Sequence, residues 1–322
     1  TLEDLKVLSF VKDSKLVFVS PDSIRPLSQR VRYNSELQSL DSTVHDYYGM
    51  GKGQIESLNG RKLHNLGFMG QGMTIAVLDA GFMNVDKIAA FRNLNIKGTH
   101  NFVAGYDNDV YKEMDHGTKT LSTIAMNQPT VFVGTAPKAD FWLLRTEDYS
   151  TESPAEEDFW IAAVEFSDSV GVDIISSSLG YHGFDDISMN YRYSDLNGRT
   201  AAISQAASRL ASKGMILVNS AGNDGMGTWK KINVPADAHD ILTVGAVSLD
   251  KVNAPFSSIG PTADGRIKPD VMAYGCPTNV VSGRGYIIPD NGTSFACPLI
   301  AGMVACLWQA CPNKSAKEIL DI

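Results

Sequence analysis

The sequence predicts an α/β protein in which a mostly parallel sheet is covered by helices on both faces. From residue 72 onwards, apolar strand patterns alternate with helical patterns, which is typical of parallel sheets. The run at residues 73–78 is continuously apolar, as expected for a strand buried on both faces. The run at residues 291–307 is small and apolar with almost no charge, which indicates a helix buried on all sides.

Residues 1–30 are predicted to form an N-terminal extension. Residues 5–19 contain two short apolar runs around a Lys-Asp-Ser turn, and prolines follow them. This pattern fits either the end of a removable unit or a strand that belongs permanently to the protein. Residues 27–60 are polar and irregular, and their glycines predict a loop. We assign residues 31–322 to a single α/β domain.

The remaining elements follow in order along the chain. A helix opens at His116, and the other predicted strands and helices are strands at 139–144, 172–177, 215–220 and 241–247 and helices at 155–168 and 200–213. Small polar residues follow several of these strands. Because the carboxyl ends of parallel strands meet at one edge of a sheet, we expect a functional site there.

Composition narrows the class of protein. The 322 residues are 43% hydrophobic and 20% charged, as in ordinary globular domains. A net charge of -8 without basic runs argues against nucleic acid as a main partner. No apolar stretch is expected to reach the length of a membrane span. The four cysteines lack the spacing of a zinc site and are too few for a disulfide scaffold. They leave the redox compartment open.

Three residues at element ends suggest nucleophilic catalysis. Ser294 lies at the start of the buried helix, where free amides and the helix dipole favour developing negative charge. A serine hydroxyl needs a base with a pKa near 7, which His116 can supply. The imidazole needs an orienting carboxylate, which Asp79 can supply. We predict that no metal takes part in this site.

A fourth residue, Asn223, ends a strand and could donate its amide to an oxyanion. Each of these residues also has a purely structural interpretation. Asp79 could cap a helix, and Ser294 could do the same at its own helix. His116 could be a helix-start histidine with a structural partner, and Asn223 a turn residue in left-handed geometry. Their joint occurrence, each at an element end and beside glycine, favours the catalytic interpretation.

With these motifs the chain resembles the subtilisin-like serine proteases. IAVLDAGF (75–82), HGTKTLSTIA (116–125), SAGND (220–224) and NGTSFACPLIAG (291–302) are similar to the aspartate, histidine, oxyanion and serine motifs of that family. The likeness covers about residues 55–322. It implies a subtilisin-like three-layer fold and the catalytic roles just given to Asp79, His116, Ser294 and Asn223.

The resemblance also implies a substrate site and a biological setting. Substrate-binding residues are expected in two segments that follow strands, namely Ser178, Leu179, Gly180, Ala221 and Gly222. Peptides should pair with residues 177–180 by strand addition, with an apolar or aromatic preference before the cut. No acidic cluster marks a pocket selective for paired basic residues, although Asp224 and the acids at 147–158 leave that alternative open. The family implies a secreted or cell-envelope endopeptidase, monomeric, acting on proteins or peptides. It implies no required cofactor, and a pro-segment that inhibits the enzyme before removal.

Three features depart from the family pattern. Lys119 stands where a small or apolar residue is usual, and Cys297 stands in the buried helix. The long loop at residues 181–199 is either a surface insertion or a wall of the substrate cleft. Within this loop, Asp195 and Asn197 could ligate a structural calcium ion. The turn lacks the later carboxylates of a full calcium loop, which favours a plain turn.

Two other functions are considered. An α/β-hydrolase esterase has a G-x-S-x-G elbow, which residues 292–296 nearly imitate, but its order along the chain is Ser, Asp, His. The order here is Asp, His, Ser, which rejects that class. A catalytically silent, subtilase-like binding module is the second alternative. A fluorophosphonate probe would distinguish an active enzyme from this silent module, because an enzyme is labelled at Ser294 and a binding module is not.

Overall fold

The computed structural model describes residues 46–322, and the predicted N-terminal extension lies outside these residues. A seven-stranded sheet, parallel throughout, has the order β2-β5-β1-β6-β7-β8-β9. Its strands, in the same order, are Asn95–Asn101, Asp140–Arg145, Thr74–Asp79, Ile174–Ser177, Ile216–Ser220, Leu242–Ser248 and Val271–Cys276. The predicted α/β architecture with a parallel sheet is confirmed.

Helices cover both faces of the sheet. On one face lie the histidine helix (His116–Ala125) and the serine helix (Thr293–Ala310), with a core that includes Leu121 and Ala296. On the other face lie the helices Ala155–Ser169 and Ala202–Ala207, packed around Trp160. The three layers of the predicted fold are therefore present.

The remaining described elements are short. They are the helices Lys52–Ser57, Gly60–Asn65, Leu210–Lys213 and Ala316–Leu320, the strand pairs Asn127–Gln128 with Phe132–Val133 (β3 and β4) and Thr278–Val281 with Ile287–Asp290 (β10 and β11), and 3-10 turns at Ala89–Phe91, Ile187–Met189 and Tyr193–Asp195. The β10–β11 hairpin leads directly into the serine helix.

Two predictions about local structure are wrong. Residues 52–57 form a helix and not a loop, because Gln54 and Ile55 are buried against the domain and stabilise a turn that the glycines would otherwise weaken. The predicted helix at residues 200–213 is divided in two. Ser208 interrupts it, since its hydroxyl donates to the carbonyl of Ser204 at 2.7 Å and accepts from the amide of His239 at 2.9 Å.

The serine helix lies at the centre of one layer. It is 18 residues long and, among the described helices, it alone is long and apolar enough to cross a membrane by length and composition. The prediction that no stretch reaches this length is therefore corrected. However, 78% of the helix is buried inside the protein, and a core helix passes the same test. Its apolar surface is accounted for by packing against the sheet.

Candidate active site

Three neighbouring strands end at the same edge of the sheet, and several of the predicted site residues lie at or just after these strand ends. β1 ends at Asp79, and β6 ends at Ser177, directly before the segment 178–180. β7 ends at Ser220, directly before the segment 221–223. Since β1, β6 and β7 are adjacent, their carboxyl ends form a continuous floor for the site.

Asp79 and His116 form a fixed pair. His116 Nδ1 lies 2.7 Å from Asp79 Oδ1, and the carboxylate is fully buried while the imidazole is one-third exposed. The same carboxylate accepts hydrogen bonds from the amide of Ala80 at 2.8 Å and from Thr120 Oγ1 at 3.0 Å. Asp79 ends a strand and caps no helix. The shared bond holds Nδ1 toward Asp79 and leaves Nε2 as the working nitrogen of the ring.

The pKa of His116 results from opposing effects. Burial lowers the pKa of the imidazole, whereas the charge of Asp79 and its hydrogen bond raise it. A smaller lowering comes from Lys119, and Asp290 opposes it. The net result is a pKa raised above 6.5, so His116 is a stronger base than a free histidine.

Ser294 is the second residue of the serine helix. The N-cap of this helix is Gly292, and no side chain caps it, so Ser294 does not serve as a capping residue. Its hydroxyl donates to the carbonyl oxygen of Ser178 at 3.4 Å, while Ser178 Oγ donates to the carbonyl of Ser294 at 2.8 Å. In this arrangement the Ser294 hydroxyl is not hydrogen-bonded to His116. Such bonds are often long in unliganded enzymes and shorten when substrate binds.

Asn223 is held beside Ser294 by the serine helix itself. Its Oδ1 accepts from Thr293 N at 2.9 Å and from Thr293 Oγ1 at 3.0 Å. Both bonds use the carbonyl oxygen, so the Nδ2 amide is the group left to donate into the cleft. Asn223 does not have left-handed backbone geometry, unlike the turn residue of the structural interpretation.

A cleft of about 300 Å³ opens beside Ser294. Its lining includes the predicted residues Ser178, Leu179, Gly180 and Gly222, together with Asn223. Ala221, also predicted to bind substrate, is fully buried and is not among the residues that line the cleft. Six further residues line it, namely Glu152, His182, Gly183, Ser220, Asp224 and Asn233. His182 and Gly183 begin the loop at 181–199, so that part of the loop is a wall of the cleft.

The other two departures from the family pattern have structural explanations. Lys119 lies 3.4 Å from Asp115 and 3.1 Å from Asp290, and so links the histidine helix to β11. The Cys297 thiol is buried and donates to the carbonyls of Val218 at 3.3 Å and Ser177 at 3.5 Å. Burial raises its pKa to about 12, which makes it an inert packing group. Cys276, Cys297 and Cys306 form no disulfide bond in the described chain.

The oxygens of the proposed calcium turn already have protein partners. Asp195 Oδ2 accepts from the amide of Arg192 at 2.8 Å, and Asn197 Oδ1 accepts from the amides of Arg199 and Thr200 at 2.9 Å each. These bonds close the turn, which fits the plain-turn interpretation. Across residues 46–322, no group of three or more His, Cys, Asp or Glu side chains is arranged to hold a metal ion.

Comparison with known proteins identifies the family. The subtilase family model matches residues 70–322. The chain belongs to the subtilase family. Subtilisin NAT from Bacillus subtilis subsp. natto is 27% identical over 323 aligned positions, covering 100% of this chain and 72% of that protein. Subtilisin from Bacillus pumilus is 28% identical over 269 positions, covering 83% of this chain and 88% of that protein.

A solved structure agrees on the fold of this subtilase. A cold adapted subtilisin-like serine proteinase superposes with a TM-score of 0.62 at 21% identity, covering 79% of this chain and 81% of that one. The family and these relatives make the protein a serine endopeptidase, a subtilisin-like hydrolase. The silent binding module is therefore set aside.

Proposed function

We propose that this subtilase hydrolyses peptide bonds through an acyl-enzyme formed on Ser294. In this mechanism His116 Nε2 takes the proton of the Ser294 hydroxyl as its oxygen attacks the peptide carbonyl, and then gives the proton to the leaving amine. Asp79 orients the imidazole and stabilises its charged form. Water then cleaves the acyl-enzyme with His116 again as the base. The 2.7 Å bond from His116 to the buried Asp79 carries this proposal.

Asn223 is proposed to stabilise the oxyanion. Charge develops on the carbonyl oxygen during attack, and a fixed amide donor aimed there lowers the barrier. The two bonds from Thr293 to Asn223 Oδ1 support this role, because they orient the amide before substrate arrives. The helix dipole at Ser294 acts in the same direction.

Substrate is proposed to be an extended peptide that pairs with residues 177–180. Backbone pairing would make recognition broad, since it depends little on side chains. The predicted apolar preference before the cut has little support in the cleft, where Leu179 is the one apolar side chain among the described lining residues. The enzyme is further proposed to act as a monomer outside the cytoplasm and to need no cofactor. A structural calcium ion at residues 195–198 stays a prediction, and calcium titration with a thermal-shift readout tests it.

The decisive experiment uses a fluorophosphonate probe with Ser294→Ala and His116→Ala variants. The wild-type protein should label at Ser294 and hydrolyse a peptide library. Both variants should lose about 10⁶-fold in kcat while keeping the wild-type circular dichroism spectrum; this magnitude comes from subtilisin, a relative. Hydrolysis by Ser294→Ala at a rate comparable with wild type would overturn the assignment.

A further inference from the structure

The cleft beside Ser294 is acidic. Two of its lining side chains, Glu152 and Asp224, are carboxylates, and a third acid, Asp185, accepts from the amide of Glu152 at 3.1 Å. None of the described residues that line the cleft is lysine or arginine. The cleft therefore presents carboxylates to whatever enters it, and among its described lining residues only His182 can become a cation, by protonation.

Asp224 is held in a fixed position within this cleft. Its Oδ2 accepts from Asn233 Nδ2 at 3.0 Å and lies 3.9 Å from His182 Nδ1. Its backbone amide donates to Ser258 Oγ at 3.0 Å. These bonds use Oδ2 and the amide, and Oδ1 accepts no hydrogen bond from the described residues. A fixed carboxylate with an open oxygen is prepared for an incoming donor.

Asn233 is a second, independent observation that a hydrogen-bond donor from a ligand would be accepted in this cleft. Its side chain is 7% exposed, and its Oδ1 is buried without a hydrogen-bond partner in the described protein. Two glycines of the cleft lie directly against this side chain. A Cβ at Gly180 would lie 3.0 Å from Asn233 Cβ, and one at Gly222 would lie 2.9 Å from Asn233 Nδ2. A buried acceptor left unpaired is costly, so a ligand donor here is favourable.

We propose that this cleft binds a lysine or arginine side chain of the substrate, at the position directly before the cut. The inference rests on the proposed peptidase function and replaces the apolar preference predicted from sequence. An ammonium or guanidinium group has several N–H donors and no acceptor, which matches Asp224 Oδ1, Glu152 and Asn233 Oδ1. An apolar side chain would remove these groups from water and offer them no donor.

The first test compares four peptide substrates that differ only at the residue before the cut: Lys, Arg, Leu and Phe. The wild-type kcat/KM should be at least about 10-fold higher for the basic pair, since one hydrogen bond to a charged group is worth this much. Asp224→Asn keeps the shape and removes the charge. It should lower the ratio of basic to apolar kcat/KM about 10- to 100-fold, and Glu152→Gln should lower it further in the double variant.

Two matched controls separate charge from other effects. Glu165→Gln makes the same change of charge on an exposed residue outside the cleft, and it should leave the ratio unaltered. Benzamidine, a cation, should inhibit wild-type hydrolysis competitively and inhibit Asp224→Asn more weakly. Benzamide, neutral and of similar shape, should inhibit neither.

Ser294-dependent hydrolysis with equal or higher kcat/KM for the Leu and Phe substrates would overturn the basic subsite and leave the proposed peptidase in place. An unchanged ratio in the Asp224→Asn, Glu152→Gln double variant would also overturn it. If no substrate is hydrolysed in a Ser294-dependent way, both proposals fail together.

Discussion

The Asp79 carboxylate is fully buried, yet each of its oxygens accepts a hydrogen bond from a side chain or amide nearby. Thr120 and Ala80 hold it in place, and His116 Nδ1 takes the remaining direction. Because the carboxylate cannot rotate, neither can the imidazole bonded to it. A pair of this kind fixes both the tautomer of the histidine and its pKa.

The raised pKa of His116 predicts how activity depends on pH. The base must be neutral, and a histidine with a raised pKa is protonated as pH falls through that value, so activity is lost on the acid side. We expect kcat/KM to fall with an inflection above pH 6.5, the ordinary histidine value, and not below it. A pH–rate profile from 5 to 9 measures this. A flat profile across that range would contradict the role of His116 as base.

Asn223→Ala should lower kcat about 10²- to 10³-fold and leave KM nearly unchanged. The range is that of the corresponding donor in subtilisin, so it is not an independent derivation. The reason is that the amide acts when the carbonyl oxygen carries charge, which occurs in the transition state. Steady-state kinetics on one peptide substrate measures both constants. A large rise in KM at constant kcat would instead identify Asn223 as a residue that binds substrate in the ground state.

At the residue scale, the sequence predicts those site residues that stand in a recognisable local motif. Asp79, His116 and Ser294 each lie at the end or start of an element, Asn223 follows the end of β7 by three residues, and the structure brings all four to one edge of the sheet. Asn233 has no such mark, because it reaches the cleft through tertiary packing beneath Gly180 and Gly222.

Close packing of the serine helix depends on small side chains. Gly302 faces β4 and the segment after it so closely that a Cβ there would overlap Thr135 Oγ1 and lie 2.8 Å from Thr135 Cβ. The exposed Gly53, in the helix Lys52–Ser57, has Tyr274 Cε2 at 3.7 Å as the nearest neighbour of such a Cβ. Gly302 therefore has no room for a methyl group, whereas Gly53 has room for one.

Gly302→Ala should lower the free energy of unfolding by about 1–3 kcal/mol, because the added methyl overpacks the core. Gly53→Ala should raise it by up to about 1 kcal/mol, since alanine favours a helix over glycine. Denaturant unfolding in the Ser294→Ala background measures both without self-digestion. Equal effects of the two substitutions would show that the serine helix has room to move.

At the element scale, the central strands were predictable and the edges were not. β1, β6 and β7 are buried on both faces and read as apolar runs. β2 is an edge strand whose residues are mostly half-buried or exposed, so its sequence NIKGTHN carries no apolar run. β9, at the opposite edge, alternates between buried and half-buried residues. An edge strand forms because it pairs with a neighbouring strand, and the local sequence pattern carries no information about that pairing.

At the scale of the whole molecule, the feature to consider is the N-terminal extension at residues 1–30. We propose that residues 1–30 derive from a pro-segment, which the active enzyme removes by cutting itself. The sequence placed the cut between residues 20 and 53. Residues 46–53 are now known to be tied to the domain, with Tyr48 1% exposed and the amide of Met50 donating to Val131 O at 2.8 Å. The expected cut therefore lies between residues 20 and 45.

Incubation of the active protein should release its N-terminal residues, whereas the Ser294→Ala protein should retain them. Intact-mass measurement over time, with N-terminal sequencing of the product, follows the reaction. Mixing the two proteins distinguishes a cut within one molecule from a cut between molecules. A fully active enzyme that still begins at Thr1 after long incubation would show that the extension is permanent.

The order of the elements along the chain also determines at what point of synthesis the enzyme can first hydrolyse other proteins. Asp79 ends β1 and His116 begins the next long helix, but Ser294 comes only after β9, β10 and β11. After His116 has been synthesised, the nascent chain therefore contains Asp79 and His116 but lacks Ser294 until residue 294 is added. A nascent chain arrested before residue 291 should not react with a fluorophosphonate. Translation itself thus delays hydrolysis until every strand of the seven-stranded sheet has been made.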